Sequence, residues 1–269
     1  MKPAPTPLFP VSEALEARLS GVPLVVMLDV DGTLAPIAPR PDAAIVPAET
    51  RRAIATLAAR DDMRVVLVSG RAAADARRMV SALHVWVIGN HGFEITGPDG
   101  EELVDQQVAH YRPIVAQAAR RLEPQVAHVP GVFLEDKGWT LSLHYRIADP
   151  AVVPKLRAAV EEIAAQLGLR LTHGKQVLEI RPPVRVDKGT AVLLLGLKLG
   201  GLGDSGACVF IGDDQTDEDA FRALRSRAGH AVTVRVLHGD ETTPTAAEFS
   251  ACDPIEVRAF LEWLVRWRT

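Results

Sequence analysis

Short unbroken apolar runs alternate with amphipathic stretches along the first ninety residues. Leu24-Val25-Val26-Met27-Leu28, Arg64-Val65-Val66-Leu67-Val68 and Val85-Trp86-Val87-Ile88 each stop at a polar cluster containing glycine. Such runs read as strands buried on both faces, as in parallel sheets. Between them, Pro47 opens a helix to about residue 60, with Glu49 in its first turn, and an Ala-rich helix runs to about residue 83. Strands alternating with helices of roughly 10–15 residues predict βαβ units. The same pattern returns after residue 186: a helix to about 199, a strand over 207–211, a helix to about 227, a strand over 231–236 and a final helix over 254–267. Residues 1–23 read as a loose leader with a short helix at 12–19. Residues 35–47 read as a proline-rich loop and 238–253 as a polar loop. Trp263 and Trp267, four apart on the last helix, read as docking residues.

The middle of the chain follows a different rhythm. Residues 93–96 and 102–104 flank Gly97-Pro98-Asp99-Gly100 and predict a hairpin. A long helix is expected over 105–126, then a strand pair around Asp136-Lys137-Gly138. A second helix is expected over 149–167, capped by Asp149 with Pro150 at its first position and stopped by Gly168. A last strand pair surrounds His173-Gly174-Lys175, and Pro182-Pro183 marks the exit. Helix, two strands, helix, two strands is an α+β module without parallel-sheet logic. The organisation expected is a core domain of residues 1–104 and 184–269 interrupted by an insert of 105–183.

Composition narrows the picture. The 269 residues are 48% hydrophobic and 24% charged, ordinary for a globular protein, and enough for a core domain plus a smaller one. A net charge of −4 gives no basic surplus for nucleic acid. Two cysteines, Cys208 and Cys252, cannot build a disulfide framework or a zinc site. No segment approaches the roughly 18 apolar residues of a membrane span, and the proline-rich start lacks a signal-peptide core. The expected compartment is the cytoplasm.

The chemistry gathers at strand ends. Asp29 and Asp31 are two apart, so on an extended backbone they lean to one side; Gly32 permits the turn and Thr33 adds a hydroxyl. In open parallel sheets, ligands sit beyond the carboxyl ends of the strands. Two acids there repel unless a cation is present, which suggests a metal-assisted site with one Asp to attack an electrophile and one to move a proton. Ser69 offers a hydroxyl and a backbone amide to a phosphate oxygen. Lys188 stands in the first turn of a helix, where a cation is unfavourable unless it answers an anion. Asp213, Asp214 and Asp217, with Glu218, exceed what capping a helix requires, and hard oxygen ligands suit Mg²⁺. Taken singly, Ser69 is better explained by a turn and Lys188 is equally explained as a solvated lysine, while capping accounts for one or two of the acids at 213–218.

Together they resemble the four motifs of the haloacid dehalogenase (HAD) superfamily in order: Asp29-x-Asp31, Ser69, Lys188 and Gly212-Asp213-Asp214-x-x-Asp217. Further stretches resemble the trehalose-6-phosphate phosphatases within it: Ser69-Gly70-Arg71, Gly89-Asn90-His91-Gly92, Glu135-Asp136-Lys137-Gly138, His144-Tyr145-Arg146, Leu178-Glu179-Ile180-Arg181-Pro182 and Asp187-Lys188-Gly189. The fold that this resemblance implies is an α/β HAD-like Rossmannoid core with a parallel sheet flanked by helices, plus a smaller αββαββ, C2-type α+β cap at 105–183. Closure of the cap over substrate would hinge near 104–106 and 180–184.

The resemblance further implies an Mg²⁺-dependent phosphatase that hydrolyses trehalose 6-phosphate through an aspartyl-phosphate. Asp29 would attack phosphorus, Asp31 would act as acid and then base, and Ser69 and Lys188 would hold phosphoryl oxygens. Mg²⁺ would be held by Asp29, the Asp31 carbonyl and Asp213, with Asp214 and Asp217 beside it. Glu135, Lys137 and Glu179, and more weakly Arg71, Asn90 and His91, would contact substrate. Coupling to a trehalose-6-phosphate synthase fits the same picture. Two alternatives stay open at this point: a sucrose-phosphate or glucosyl-glycerate-phosphate phosphatase, and a catalytically silent regulatory module on the same fold.

Overall fold

The computed structural model describes residues 4–38, 43–104, 106–174, 176–226, 231–239 and 244–268. In chain order the elements are β1 (Thr6–Pro7), α1 (Glu13–Leu19), β2 (Leu24–Asp29), α2 (Ala48–Ala58), β3 (Met63–Val68), α3 (Ala73–Val80), β4 (Val85–Gly89), β5 (Glu94–Thr96) and β6 (Glu102–Leu103). There follow α4 (Gln106–Ala109), α5 (Arg112–Val126), β7 (Phe133–Asp136), β8 (Leu141–His144), α6 (Val153–Gln166), β9 (Arg170–Gly174) and β10 (Val177–Arg181). The chain ends with α7 (Lys188–Lys198), β11 (Ala207–Gly212), α8 (Asp217–Arg225), β12 (Ala231–Val236), β13 (Phe249–Ala251) and α9 (Pro254–Trp267). It divides into two compact units, Met1–Leu103 with Val186–Thr269, and Val104–Arg185.

In the first unit one sheet runs β1-β13-β12-β11-β2-β3-β4-β5-β6 among the described residues. The strands from β1 to β4 pair in parallel, while β5 and β6 add an antiparallel edge. Period-2 alternation sends neighbouring residues to opposite faces. Leu24, Val26 and Leu28 of β2 join the core under α1, α2, α3 and α9, with Leu19, Ile54, Leu57, Phe260 and Leu264 fully or almost fully buried there. Val25 and Met27 join the core on the other face, under α7 and α8, with Val192, Leu195, Phe221 and Leu224. Each such side chain contributes about 1.5–3 kcal/mol by leaving water.

The mostly parallel sheet with flanking helices matches the expected fold class. Several local expectations are corrected. The described part of the stretch read as a loose leader is tied down: Thr6 and Pro7 pair with Phe249 and Ser250, and Leu8 is fully buried. The stretch read as one polar loop after residue 238 contains β13, which pairs with β12 through Val234–Phe249 and Arg235–Ser250. Both pairings join residues far apart in sequence, so no local pattern announces them. Trp263 and Trp267 stack on each other at 4.9 Å, and Trp263 stacks on Phe260.

In the second unit, β7-β8-β10-β9 form an antiparallel sheet. Leu141, Leu143, Leu178 and Ile180 bury one face under α5 and α6. The pairings Glu135–Ser142, Ser142–Glu179 and Glu179–Thr172 set a row of polar residues across the other face. The helix expected over 105–126 is two helices. Pro113 stands in the first turn of α5, where its missing N–H costs nothing, whereas in a continuous helix it would remove a bond. Asp149 does not cap α6. Its carboxylate accepts from the Ala151 N–H at 2.9 Å in a preceding turn, and α6 begins at Val153 with Pro154, not Pro150, in its first turn. The expected helix start at Asp105, hairpin residue Lys175 and helix end at Arg227 lie outside the described residues, as do positions 39–42 and 240–243 of the two loops.

Candidate functional site

Parallel register brings the predicted strand ends into one line. Asp29 pairs with Val68, Val68 with Ile88, and Leu28 with Ile211. The residues just past these strands, Asp31, Ser69, Asn90 and Asp213, therefore emerge at the same edge. The strand order reverses at β2, which has β3 on one side and β11 on the other, the place where open α/β sheets bind ligands.

Lys188 is the centre of this edge. Asp187 caps α7 with a capping box: its carboxylate accepts from the Thr190 N–H at 2.8 Å, and Thr190 Oγ1 accepts from the Asp187 N–H at 3.1 Å. Gly189 lets α7 approach α8 closely, since a Cβ there would meet the Asp219 carbonyl at 2.5 Å. The buried Lys188 ammonium consequently donates to Asp29 Oδ1 and to Asp217 Oδ1, both at 2.7 Å. The anion that offsets its unfavourable helix position is this pair of carboxylates. Asp217, Asp29 and Asp214 hold Lys188 well above the ordinary lysine range, against burial that alone would lower it.

The acidic cluster separates by role. Asp217 is fully buried, and its Oδ2 accepts from the backbone N–H groups of Asp213 and Asp214 at 2.9 and 3.0 Å. Burial pushes its carboxyl up to about 7 despite the pull of Lys188. Asp214 turns to the helix start, where Oδ1 accepts from the N–H groups of Thr216 and Asp217 and from the Thr216 hydroxyl. Burial works against that, but Lys188 and the Thr216 and Asp217 bonds bring it down to about 2. Glu218 points elsewhere, accepting from Thr245 Oγ1 at 2.6 Å and the Ala246 N–H at 2.8 Å, so it ties down a loop.

Asp29 is pushed well above the usual carboxylate range by burial, partly offset by Lys188 and reinforced by Asp217, Asp213 and Asp214. Asp213 is raised by burial and by Asp214, with His238 opposing. Oxygens of Asp29, Asp213 and Asp217 lie within 4.8 Å of one another, close to the span of opposite ligands around a hard divalent ion. Asp213 Oδ1 is buried and has no hydrogen-bond partner among the described residues. Three buried acids, Asp29, Asp213 and Asp217, face one buried lysine, so ionising them all would leave negative charge that Lys188 alone does not offset. An orphaned carboxylate oxygen and an uncompensated charge both fit a hard cation. Asp217 has both oxygens engaged by N–H donors, so Asp29 and Asp213 are the acids with capacity to hold it.

The Asp31 carboxylate accepts two bonds of 2.6 Å from the Arg71 guanidinium, a bidentate pair, while the group expected at the metal is its backbone carbonyl. Ser69 is buried. Its backbone N–H, expected for a phosphate, donates to the Ile88 carbonyl at 2.8 Å, while its hydroxyl oxygen accepts from the Arg71 N–H at 3.1 Å. Asn90 has no exposed surface; its amide donates to Glu94 Oε2 at 3.0 Å, and its N–H to the Arg71 carbonyl at 2.7 Å. The His91 N–H donates to the Ser69 carbonyl at 3.0 Å, and its ring packs on Gly70. Asn90 and His91 thus brace the loop carrying Ser69 and Arg71.

In the second unit, Glu135 and Glu179 share the polar sheet face, flanking Ser142. His144 Nε2 lies 2.9 Å from Glu135, Lys137 lies 3.8 Å from it, and Glu179 pairs with Arg181. The reading of the sequence missed His238, whose Nε2 lies 3.0 Å from Asp213 Oδ2. No sequence signal pointed to it: the contact follows from the parallel register of β12 on β11, with Arg235 opposite Gly212, which brings the turn after residue 236 beside Asp213.

Comparison with known proteins agrees with the resemblance that the motifs carry. The family model for trehalose-phosphatase matches residues 27–255. A trehalose-phosphate phosphatase of Mycolicibacterium paratuberculosis is 39% identical over 251 residues, covering 91% of this chain and 63% of that relative. Trehalose-phosphate phosphatase B of Arabidopsis thaliana is 35% identical over 259 residues, covering 92% and 68%. The chain spans less than two thirds of the length of the mycobacterial relative. A crystal structure of a trehalose-6-phosphate phosphatase related protein superposes with a TM-score of 0.76 at 27% identity, covering 91% of this chain and 98% of the other.

Proposed function

Because this chain belongs to the trehalose-phosphatase family and has a HAD-like fold, we propose that it hydrolyses trehalose 6-phosphate to trehalose and phosphate through an aspartyl-phosphate. The observation that carries the proposal is the buried Asp29 carboxylate, held by Lys188 at 2.7 Å beside an Asp213 oxygen with no hydrogen-bond partner among the described residues. A silent module has no chemical need for that arrangement.

Asp29 attacks phosphorus in line; a bond forms from its carboxylate oxygen as the bond to the sugar oxygen breaks. Asp31 gives a proton to the departing sugar oxygen, which requires it to carry that proton on an oxygen released from Arg71. Asp31 then accepts a proton from water, whose oxygen attacks phosphorus and frees Asp29. The Ser69 hydroxyl and the Lys188 ammonium meet phosphoryl oxygens as charge shifts onto them. Asp29, Asp213 and the Asp31 carbonyl are the groups assigned to a divalent cation, Mg²⁺ in this proposal. When bound, that ion shields the repulsion between the attacking carboxylate and the phosphate.

We assign residues 1–104 and 184–269 as the catalytic core and 105–183 as the cap that selects substrate. Glu135, Lys137 and Glu179 would read sugar hydroxyls, where a lost partner is expensive. No helix among the described residues is long and apolar enough to cross a membrane; the proposed setting is the cytoplasm, coupled to the synthase that makes the substrate. Phosphate release from trehalose 6-phosphate, glucose 6-phosphate and sucrose 6-phosphate, with MgCl₂ or with EDTA, tests the proposal. The expected result is release confined to trehalose 6-phosphate plus Mg²⁺. Equal rates on all three sugars would remove the trehalose assignment, and no release from any would remove the phosphatase.

A further inference from the structure

The two oxygens of Asp213 have different surroundings. Oδ2 is confined. His238 Nε2 lies 3.0 Å away, and on another side the Gly32 backbone is so near that an added Cβ would come within 2.0 Å. Oδ1 is buried with no hydrogen-bond partner among the described residues. His238 thus holds the carboxylate by one oxygen, and the other has no hydrogen-bond partner among the described residues.

We infer, on the premise that Asp213 ligates a divalent cation, that His238 is a positioning residue for that cation: it clamps Oδ2 and so aims Oδ1. The fold explains why residue 238 can do this. Parallel pairing of Gly212 with Arg235 makes β11 and β12 end side by side, so the turn leaving β12 passes the carboxylate that leaves β11. The chemistry explains why a histidine suits the position. Its ring is stiff and donates an N–H without having to carry a charge, so Asp213 keeps its full charge for the cation. A lysine or arginine at the same place would compete with the cation for that charge. Hydrogen bonds of this kind to ligating carboxylates commonly govern metal affinity. His238 is a quarter exposed, meets Asp213 among the described residues, and belongs to neither core, so its removal leaves the cores on both sheet faces intact.

Mg²⁺ binding by calorimetry and Mn²⁺ binding by electron paramagnetic resonance, on the full chain, test the inference without any turnover readout. The variants are His238→Ala, His238→Gln and Asp213→Asn. His238→Ala is expected to raise the dissociation constants about 10- to 100-fold. His238→Gln, which keeps an N–H donor, is expected to recover most of that loss, and the thermal midpoint in EDTA is expected to stay near that of the parent for both. A His238→Ala protein that binds both ions as tightly as the parent overturns the inference. Equal weakening in His238→Ala and His238→Gln also overturns it, because the donor would then be irrelevant. Should His238→Ala fail to fold, His238→Asn replaces it: its shorter amide is expected to bind more weakly than His238→Gln, and parity between the two overturns the inference. Asp213→Asn separates the premise: if it binds Mg²⁺ like the parent, the cation assignment itself falls. If it loses binding while His238→Ala does not, only the role of His238 falls.

Discussion

Replacing Lys188 by Met removes the buried cation that Asp29 and Asp217 share. The side chain is 2% exposed and donates to Asp29 and Asp217, themselves 6% and 0% exposed. Methionine fills a similar volume, so the change is chiefly electrostatic. Taking one partner from a buried ion pair and leaving the other uncompensated costs about 3–5 kcal/mol. In a domain of this size that corresponds to a fall of roughly 6–20 °C in the thermal midpoint. The cost also has a pH signature. Asp29 and Asp217 are already raised in the folded state, Asp217 to about 7, with Lys188 pulling both down. Without Lys188 both rise further, so the folded chain holds protons that the unfolded chain releases near pH 4. Stability tied to these protonated acids is complete below that value and is lost as pH rises through the folded one. The deficit of the variant is therefore small near pH 5 and largest above pH 7. Circular-dichroism melts of both proteins in EDTA at pH 5, 6, 7 and 8 measure it. A midpoint within about 2 °C of the parent at pH 8, or a deficit that grows toward acid, would refute the electrostatic account of Lys188.

The parent protein should show the same sign more weakly: in EDTA, the contribution of Asp29, Asp213 and Asp217 makes urea midpoints fall as pH rises from about 4 through 7, and added Mg²⁺ flattens that fall by favouring the ionised acids. Asp214, held down at about 2 in the folded chain, opposes that slope near pH 4, where its unfolded form still binds protons, and adds nothing to it well above that pH. Gly32→Ala places a methyl 2.0 Å from Asp213 Oδ2 at a residue with φ of +83°, so a loss of about 1–3 kcal/mol and weaker Mg²⁺ binding are expected; unchanged melting and calorimetry would refute the close packing. Asp29→Asn should abolish phosphate release while keeping the circular-dichroism spectrum, and a near-parental rate would end the covalent mechanism.

Much of this site was legible because its parts obey local rules. Asp29 and Asp31 stand out because an apolar strand ends on them. Lys188 stands out because a cation in the first turn of a helix opposes the helix dipole and calls for an answering anion. The partition of the acids was not legible. Asp213, Asp214 and Asp217 look interchangeable in a row, yet Asp217 serves two backbone amides and the lysine, Asp214 serves the helix start, and Asp213 keeps an oxygen without a partner among the described residues. That division follows from which N–H groups the turn between β11 and α8 aims at each carboxylate. Asp31 shows the same thing, since only the packed strand ends bring Arg71 against it, 40 residues away.

Residue order alone carried the strand–helix alternation of the first unit, the change of rhythm in the middle and the acids at the strand tips, because period, turn chemistry and capping depend on neighbours a few positions apart. Folding in three dimensions made the other choices: pairing Thr6 and Pro7 with Phe249 and Ser250, turning Asn90 inward, and setting His238 against Asp213. Those contacts depend on strand order and register, and an open sheet joins through them segments that no short-range pattern relates.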